Sequence, residues 1–180
     1  GGFSFAIMDN EEIIWLSEKD GFSHIYRNRP DGRPINQVTR GDWEVNNISA
    51  IDDKNEIIYF SAKKETETEN HLYSIKFNGS RLKRLTKEKG SHSSSFSPTL
   101  NYFINSYSSF TVPPKTLIRE DNGKIVRTLK ETDKSKFDAY NLTYPQLINI
   151  FTDDGTRLNA LITYPHNFDP MKQYPVILYN

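Results

Sequence analysis

Short stretches of alternating apolar and polar residues, separated by turn-forming pairs, make up most of this chain. In residues 15–32, WLSEKDGFSHIYRNRPDG, two runs ending in aromatic residues flank a Lys-Asp-Gly turn, and a second Asp-Gly turn follows at once. Alternation with a period of two indicates strands, and Asp-Gly pairs join strands into hairpins. No run of ten residues shows a convincing apolar period of 3.6, so we predict that strands dominate and that helix is limited to a turn or two.

This hairpin pattern repeats along the chain. Residues 7–15 (IMDNEEIIW) match residues 51–59 (IDDKNEIIY) at an offset of 44, and HIY at 24–26 matches HLY at 71–73 at an offset of 47. We place the three extra residues in the polar tract KKETETEN at 63–70, where a hairpin loop would lengthen. Each unit is then a set of short strands joined by turns, and the hairpin above supplies its second and third strands.

A third and fainter copy follows at a similar spacing. FSPTLNYFI at 96–104 begins it, and Asn122-Gly123 and IVRTL at 125–129 end it. A period in the mid-forties with four strands per unit is typical of a β-propeller blade, whereas coincidental repeats in a plain antiparallel sandwich are the alternative. We therefore predict an all-β fold with about three four-stranded blades. Propellers close with roughly four to eight blades, so we expect the chain to be a piece of a longer polypeptide.

The second unit shows its strands most clearly. We predict them at NNISAI (46–51), EIIYFSA (56–62), HLYSIKF (71–77) and LKRLT (82–86), with SHSSSFS (91–97) as the connection to the next blade. Aromatic side chains at recurring positions carry the largest apolar areas, so we expect them to be buried between blades. They are Trp15, Tyr26, Tyr59, Tyr73 and Phe103.

The pattern changes after the third unit. Residues 144–180 predict a strand, an Asp-Asp-Gly turn, a longer alternating strand, a loop and the apolar run YPVILY at 174–179. Continuous apolar character is typical of an interior strand in an α/β sheet. We therefore predict two parts, with residues 1–140 as propeller blades and residues 141–180 as the first strands of an α/β domain.

Composition narrows the range of partners. The 180 residues carry 23 basic and 23 acidic side chains, so the net charge is zero. A nucleic-acid partner, which requires a basic face, is therefore not expected. The longest apolar runs have four residues, too few to span a membrane. The chain has no cysteine, which excludes disulfides and thiolate metal sites within it.

Segments of the repeats, and the segment after them, resemble one family. WLSEKDGFSHIY, TRGDWEV and HLYSI, followed by FTDDGTRLNALITYPHNFDPMKQYPVILY, are similar to the dipeptidyl peptidase IV branch of the prolyl oligopeptidase family of serine peptidases. These peptidases join an N-terminal propeller to a C-terminal α/β-hydrolase domain. The resemblance covers essentially the whole chain and implies the C-terminal blades of the propeller followed by the entry to the hydrolase domain.

The resemblance implies an activity for the whole protein. It would release X-Pro or X-Ala dipeptides from peptides with a free N-terminus, using a Ser-Asp-His triad whose serine stands on a G-x-S-x-G elbow. That motif does not occur in the 180 residues, so we expect this chain alone to be inactive. The family's oxyanion-hole tyrosine would lie just beyond Asn180, so Tyr179 is not assigned that role.

Further expectations concern partners and location. The propeller would gate access of peptide substrates, and the whole protein would form a homodimer in the periplasm or outside the cell. The missing blades and the hydrolase domain would be its partners within the parent chain, without which we expect self-association or marginal stability. The alternative is a non-catalytic propeller that serves as a periplasmic binding or scaffold module, which gives no reason for the segment 144–180.

Three carboxylate pairs are candidates for chemistry. They are Glu11-Glu12, Asp52-Asp53 and Asp153-Asp154. The family anchors the substrate amine with a glutamate pair in an earlier blade, but the first pair matches residues 55–56 and so lies in a solvated turn; we do not assign it that role. The other two lie beside Gly or Asn, where carboxylates accept backbone N–H bonds.

The remaining candidates are histidines and asparagines. The histidines are His24, His71, His92 and His166. None has metal-ligand spacing, and the first two share a repeat position, which predicts a packing or hydrogen-bonding role. The N-x-S/T motifs begin at Asn47, Asn78 and Asn141 and match glycosylation acceptors. We assign no catalytic residue, metal ligand or cofactor, and the substrate-binding residues are unknown.

Overall fold

The computed structural model describes residue 2 and residues 4–133, 135, 140 and 142–179, which form fourteen β-strands. In chain order the strands are β1 (Phe5–Ile7), β2 (Ile13–Ser17), β3 (His24–Asn28), β4 (Pro34–Gln37), β5 (Val45–Asp52), β6 (Ile57–Ala62), β7 (His71–Lys76), β8 (Lys83–Arg84), β9 (Ser91–Phe96), β10 (Tyr102–Ser108), β11 (Lys115–Glu120), β12 (Ile125–Glu131), β13 (Gln146–Phe151) and β14 (Arg157–Ile162). The residues pack into two units, Gly1–Thr132 and Asp133–Asn180, which are described separately.

The first unit consists of three four-stranded antiparallel sheets, which confirms the three predicted blades. Strands β1–β4 form the first sheet, β5–β8 the second and β9–β12 the third, and neighbours in each sheet are consecutive in the chain. Consecutive strands become neighbours because short turns join them into hairpins. The turn between the third and fourth strands needs a residue that accepts positive φ. That residue is Gly32, Gly79 or Gly123 in the three sheets.

Two of these turn glycines touch the preceding sheet. Gly79 has a φ of +84°, and a Cβ added to it would lie 2.9 Å from the carbonyl oxygen of Val38. Gly123 has a φ of +92°, and its added Cβ would lie 2.4 Å from the carbonyl oxygen of Leu85. Each turn therefore rests on the chain just after the outer strand of the sheet before it, where only glycine fits.

Two apolar layers fill the spaces between the sheets. The layer between the first and second sheets contains Met8, Ile14, Ile25, Val38, Val45, Ile48, Ile58, Phe60, Ala62, Tyr73, Ile75 and Phe77. The layer between the second and third sheets contains Ala50, Tyr59, Leu72, Leu85 and Phe103. Successive side chains of a strand point to opposite faces, so β6 sends Ile58 to the first layer and Tyr59 to the second.

The structure corrects the repeat by one residue on the second strand of each sheet. Trp15 pairs with Tyr26 in the first sheet, and Phe60 pairs with Tyr73 in the second. Trp15 therefore corresponds to Phe60, and the offset of 44, which matched it to Tyr59, is wrong there. One of the three extra residues therefore lies in the turn between β5 and β6, and only two lie in the polar tract. The correction matters because a slip of one residue exchanges the two faces of a strand.

This register explains which of the five aromatic residues are buried. Burial is confirmed for Tyr26, Tyr59, Tyr73 and Phe103. Trp15 is partly buried and partly exposed, so the burial expected there is only partial. Trp15 and Phe60 both pack on a tyrosine of their own sheet, with ring centroids 6.2 Å and 5.5 Å apart. Phe60, however, faces the first sheet, whereas Trp15 lies on the face of the first sheet that is turned away from the second.

The serine-rich segment is a strand and not the predicted connection between blades. β9 pairs with β10 over six residues, from Ser91 opposite Ser108 to Phe96 opposite Phe103. Serines carry no apolar alternation, so the period-two pattern could not reveal this strand. Its alternate positions nevertheless face the second sheet: His92 is buried, and the Phe96 ring lies 4.5 Å from the Tyr59 ring, centroid to centroid.

The second unit contains one hairpin. β13 and β14 pair from Gln146 opposite Ile162 to Phe151 opposite Arg157, in agreement with the predicted strand, turn and strand. Residues 174–179 form no strand, and Val176 to Tyr179 are 86% to 96% exposed. The prediction of a buried strand is therefore wrong, because a strand requires a paired neighbour and none of the described residues supplies one. The α/β-hydrolase assignment stays a prediction, as does the boundary at residues 140 and 141, the second of which lies outside the described residues.

Candidate functional site

The first strands of the three sheets line one cavity of about 470 Å³. The small residues Ala6, Ala50 and Ser95 occupy equivalent positions on β1, β5 and β9 and leave this space open. Each of these strands is the edge of its sheet, so one side of its backbone is free of ladder bonds within the sheet. A wall of strand edges beside a cavity of this volume suits an extended peptide, which binds through main-chain hydrogen bonds.

The carboxylates near this cavity stabilise turns. Asp53 lines the cavity, and its Oδ2 accepts the backbone N–H of Asp9 on the neighbouring sheet at 3.1 Å. Asp52 accepts the backbone N–H of Asn55 at 2.9 Å and the Asn55 side-chain amide at 2.8 Å. The predicted role of this pair as an acceptor of backbone N–H bonds is confirmed.

The carboxylate pair of the second unit has the same role at Asp154. Its Oδ1 accepts the Thr156 backbone N–H at 3.0 Å and the Thr152 hydroxyl. These bonds lower the pKa of Asp154 to about 2, with the Thr152 hydroxyl contributing most. The carboxylate is therefore ionised across the neutral range and ties the β13–β14 turn together.

The glutamate pair lies in the turn between β1 and β2, as the repeat indicates. Glu11 is exposed and has a φ of +64°, and Glu56 occupies the corresponding place with a φ of +53°. Glu12 is not solvated as expected, because its Oε2 pairs with the Arg27 guanidinium at 2.5 Å. The pair thus splits between an exposed turn residue and an ion pair.

His24 and His71 make the same buried contact in successive sheets, which confirms the predicted hydrogen-bonding role. Nδ1 of His24 lies 3.1 Å from the Thr39 hydroxyl, and Nδ1 of His71 lies 3.2 Å from the Thr86 hydroxyl. Each threonine hydroxyl also accepts the backbone N–H of the residue after the histidine, at 2.9 Å and 3.0 Å. The contacts join the third strand of each sheet to the chain that follows the fourth.

The second and third sheets meet at a buried polar cluster that sequence reasoning missed. His92 donates from Nε2 to the Glu88 carbonyl at 2.8 Å, its Nδ1 lies 3.2 Å from Asn105 Oδ1, and its ring lies 4.9 Å from that of His71. Arg119, only 2% exposed, donates to Asn105 Oδ1 and pairs with the Glu88 carboxylate at 2.6 Å. The cluster is thus fully connected through one arginine.

Burial and charge set the protonation of this cluster. Burial lowers the pKa of His92, and repulsion from His71 acts in the same direction, against the hydrogen bonds to Glu88 and Asn105. Burial opposes ionisation of the Glu88 carboxyl, but the Arg119 guanidinium and the backbone N–H groups of residues 87 and 88 together outweigh it and lower the pKa of that carboxyl. A signal in the sequence could have revealed the cluster, because Asn105 and Arg119 replace Phe60 and Ile75 at equivalent positions.

Two buried tyrosines donate hydrogen bonds from their hydroxyls to carboxylates. The Tyr26 hydroxyl donates to Asp20, and the Tyr73 hydroxyl donates to Glu65, at corresponding places in the first and second sheets. Burial and the bond to Asp20 raise the pKa of Tyr26 to about 12, and burial and the bond to Glu65 raise the pKa of Tyr73 further. Both hydroxyls therefore stay protonated and act as structural donors.

The remaining predicted candidates lie apart from one another. His166 is exposed in the second unit, Asn78 is exposed in the β7–β8 turn, and Asn47 is partly buried on β5. Asn141 lies outside the described residues. Within the described part of the chain, no group of three or more His, Asp or Glu side chains could hold a metal ion, and no helix is long and apolar enough to cross a membrane.

The chain is similar to known proteins in both sequence and structure. Residues 3–114 match the family model described as "Dipeptidyl peptidase IV (DPP IV) N-terminal region". Dipeptidyl peptidase 4 of Arthroderma otae is 32% identical over 172 residues, and that of Trichophyton tonsurans is 33% identical over 172 residues. Each match covers 93% of this chain and 22% of the relative, so the chain spans about a fifth of these relatives.

Solved structures share the fold. The crystal structure of Porphyromonas gingivalis dipeptidyl peptidase 4 matches with a TM-score of 0.89 and 28% identity, over 96% of this chain and 25% of that one. A putative dipeptidyl aminopeptidase IV from Bacteroides ovatus matches with a TM-score of 0.78 and 22% identity, over 95% of this chain and 27% of that one. At that identity the second match supports the fold alone.

Proposed function

Because this chain belongs to the dipeptidyl peptidase IV N-terminal-region family, we propose that it is the propeller part of a serine exopeptidase that releases N-terminal X-Pro or X-Ala dipeptides. The match of this chain to the Porphyromonas gingivalis dipeptidyl peptidase 4 structure, at a TM-score of 0.89, carries this proposal. The chain spans about a fifth of its relatives, and catalysis would require parts outside it.

The propeller's role in this proposal is to gate access to the catalytic centre. The edges of β1, β5 and β9 beside the 470 Å³ cavity suit an extended peptide, which can bond to them through its main chain. Acyl transfer requires a nucleophile, a base and oxyanion donors held together. The buried histidines of this chain bond to threonine hydroxyls, an amide, carbonyls and the Glu69 carboxylate. Thr39 and Thr86, whose hydroxyls lie beside His24 and His71, are themselves buried and out of reach of a substrate, which supports the expectation that the 180 residues alone are inactive.

The test compares the 180-residue chain with a longer natural chain that continues through the hydrolase domain. A Gly-Pro or Ala-Pro chromogenic dipeptide is expected to be cleaved by the longer chain only, and a serine-directed inhibitor should abolish the cleavage. The N-acetylated dipeptide is the matched control and should not be cleaved, because it lacks the free amine.

Three results would contradict parts of the proposal. Inhibitor-sensitive turnover by the short chain would place the catalytic residues within it. Silence from both chains would favour a propeller that only binds. Equal cleavage by the longer chain of an unstructured peptide and of a folded protein with the same Gly-Pro N-terminus would contradict gating.

Location and assembly belong to the same proposal. We place the whole protein in the periplasm or outside the cell, as a homodimer. Fractionation of the source cells and sedimentation of the longer chain test these two statements separately.

A further inference from the structure

One buried hydroxyl between the second and third sheets has no protein partner. Among the described residues, Ser61 Oγ is the only buried side-chain nitrogen or oxygen without a hydrogen bond. Ser61 is 6% exposed and lies on β6, two residues after Tyr59 and on the same face of the strand, which is turned toward the third sheet. A buried hydroxyl that bonds to nothing is costly, so native proteins pair such groups with protein atoms or with ordered water.

The hydroxyl borders a cavity of about 100 Å³ with polar walls. Besides Ser61, the polar lining residues are Asn47, Ser49, Asn70, His92, Ser93 and Ser94. A water molecule takes about 30 Å³ in the liquid and needs two to four polar partners, so the cavity can hold a small number of waters. Apolar cavities of similar size stay dry, and the polar lining distinguishes this one from them.

In the first sheet, the position that corresponds to Ser61 is filled by an apolar side chain. Leu16 on β2 pairs with Ile25, and Ser61 on β6 pairs with Leu72, at corresponding places in the two sheets. Leu16 packs against the apolar layer between its sheet and the next. The serine at this position opens a space that the leucine fills in the neighbouring interface.

The side chains around the cavity have hydrogen-bond donors and acceptors that a bound molecule could use. Asn70 donates to the His92 carbonyl at 2.9 Å and accepts from Asn46 at 2.8 Å, which holds its amide in place. The Ser94 oxygen accepts from Asn105 at 3.4 Å, and its O–H remains able to donate. Donors and acceptors from both sheets therefore converge on the space in front of Ser61.

We propose that this cavity is a binding site for ordered water, which bridges Ser61 on the second sheet to the Ser94 side chain of β9 on the third. The water completes the hydrogen bonding of Ser61 and takes the place that Leu16 fills one sheet earlier. The site joins two neighbouring blades through polar contacts, and it is independent of the peptidase activity proposed above.

The first test measures unfolding of the 180-residue chain in denaturant. Ser61→Ala should raise the unfolding equilibrium constant about fivefold, because one hydrogen bond to water is lost. Ser61→Thr keeps the hydroxyl and should stay within about twofold of the unmodified chain. Ser106→Ala is the matched control, since Ser106 occupies the equivalent place on β10 and is exposed, and it should change the constant by less than about twofold.

The sign of the Ser61→Ala effect separates a wet cavity from a dry one. In a dry cavity the substitution removes an unpaired hydroxyl, so a lower unfolding constant for Ser61→Ala would overturn the proposal. An equal loss in Ser61→Thr and Ser61→Ala would also overturn it, because the hydroxyl would then not be responsible.

A second test detects the water directly in the unmodified chain. Water-to-protein cross-relaxation in nuclear magnetic resonance should appear at Ser61, Ser94 and the Asn70 side-chain amide, with the sign of a long-lived water. Absence of these signals, or a crystal structure with a metal cation or an empty space there, would overturn the proposal.

Discussion

Replacing Tyr59 by alanine should lower the free energy of unfolding by about 3 kcal/mol or more. The residue is 3% exposed, belongs to the apolar layer between the second and third sheets, and places its ring 4.5 Å from that of Phe96. A buried tyrosine removes about 150 Å² or more from water, which at about 25 cal/mol per Å² is about 4 kcal/mol. A compact unfolded state reduces this value and the cavity left behind increases it, so about 3 kcal/mol is the lower end of the expected range.

The assay is equilibrium unfolding in urea, followed by the fluorescence of the two tryptophans. Tyr59→Phe keeps the ring and should cost less than about 1 kcal/mol. Ile104→Ala is the positional control, because Ile104 corresponds to Tyr59 on the third sheet but is 48% exposed. A loss below about 1 kcal/mol for Tyr59→Ala, or an equal loss for Ile104→Ala, would refute the assignment of faces in the repeat.

Three further predictions follow from contacts between and beyond the sheets. Stability should fall as the pH drops below about 6.5, because burial lowers the pKa of His92 and the unfolded chain then binds a proton that the folded chain does not. His92→Gln should flatten this dependence in urea titrations from pH 7.5 to 5.5, and an unchanged slope of stability against pH would count against the prediction. Gly123→Ala should destabilise the chain more than Gly155→Ala, since both have positive φ but only the first added Cβ meets a backbone oxygen, and equal shifts in the thermal midpoint would disagree with this. Ile104→Lys should weaken self-association measured by sedimentation, because it charges the exposed apolar face of the third sheet, and unchanged association would show that another surface is responsible.

Turn chemistry and alternation predicted the architecture well because they are local signals. The Asp-Gly and Asn-Gly turns and the four strands of the second sheet appear where the sequence indicates, since positive φ at a glycine and a period of two depend on neighbouring residues only. The register of the second strand depends on how many residues a turn contains. The residues around Glu11 and Glu56 match better at an offset of 44 than at the structural offset of 45, which put Tyr59 in the place of Phe60.

Long-range contacts account for what the sequence did not predict. β9 is a strand because it pairs with β10 in its own sheet and buries His92 against the second sheet, although its serines have no strand pattern of their own. Trp15 has the large apolar side chain of a core residue, and only the position of neighbouring sheets decides how far it is exposed. The polar cluster around Arg119 combines residues from three separate strands and loops, so its members could be recognised only as polar substitutions within an apolar repeat.

The turn glycines that rest on the preceding sheet have a consequence for the order in which the sheets open. The outer strand β8 has only two residues, yet the chain after it is covered by the turn at Gly123, and Lys83 donates to the Asn122 carbonyl at 3.2 Å. The turn at Gly79 covers the end of β4 in the same way, and Asn36 donates to the Phe77 carbonyl at 2.9 Å. Each outer strand is thus held in place by the sheet that follows it. We therefore expect the amide hydrogens that bond β4 and β8 into their sheets to exchange with solvent more slowly than those of β12, whose seven residues are all exposed.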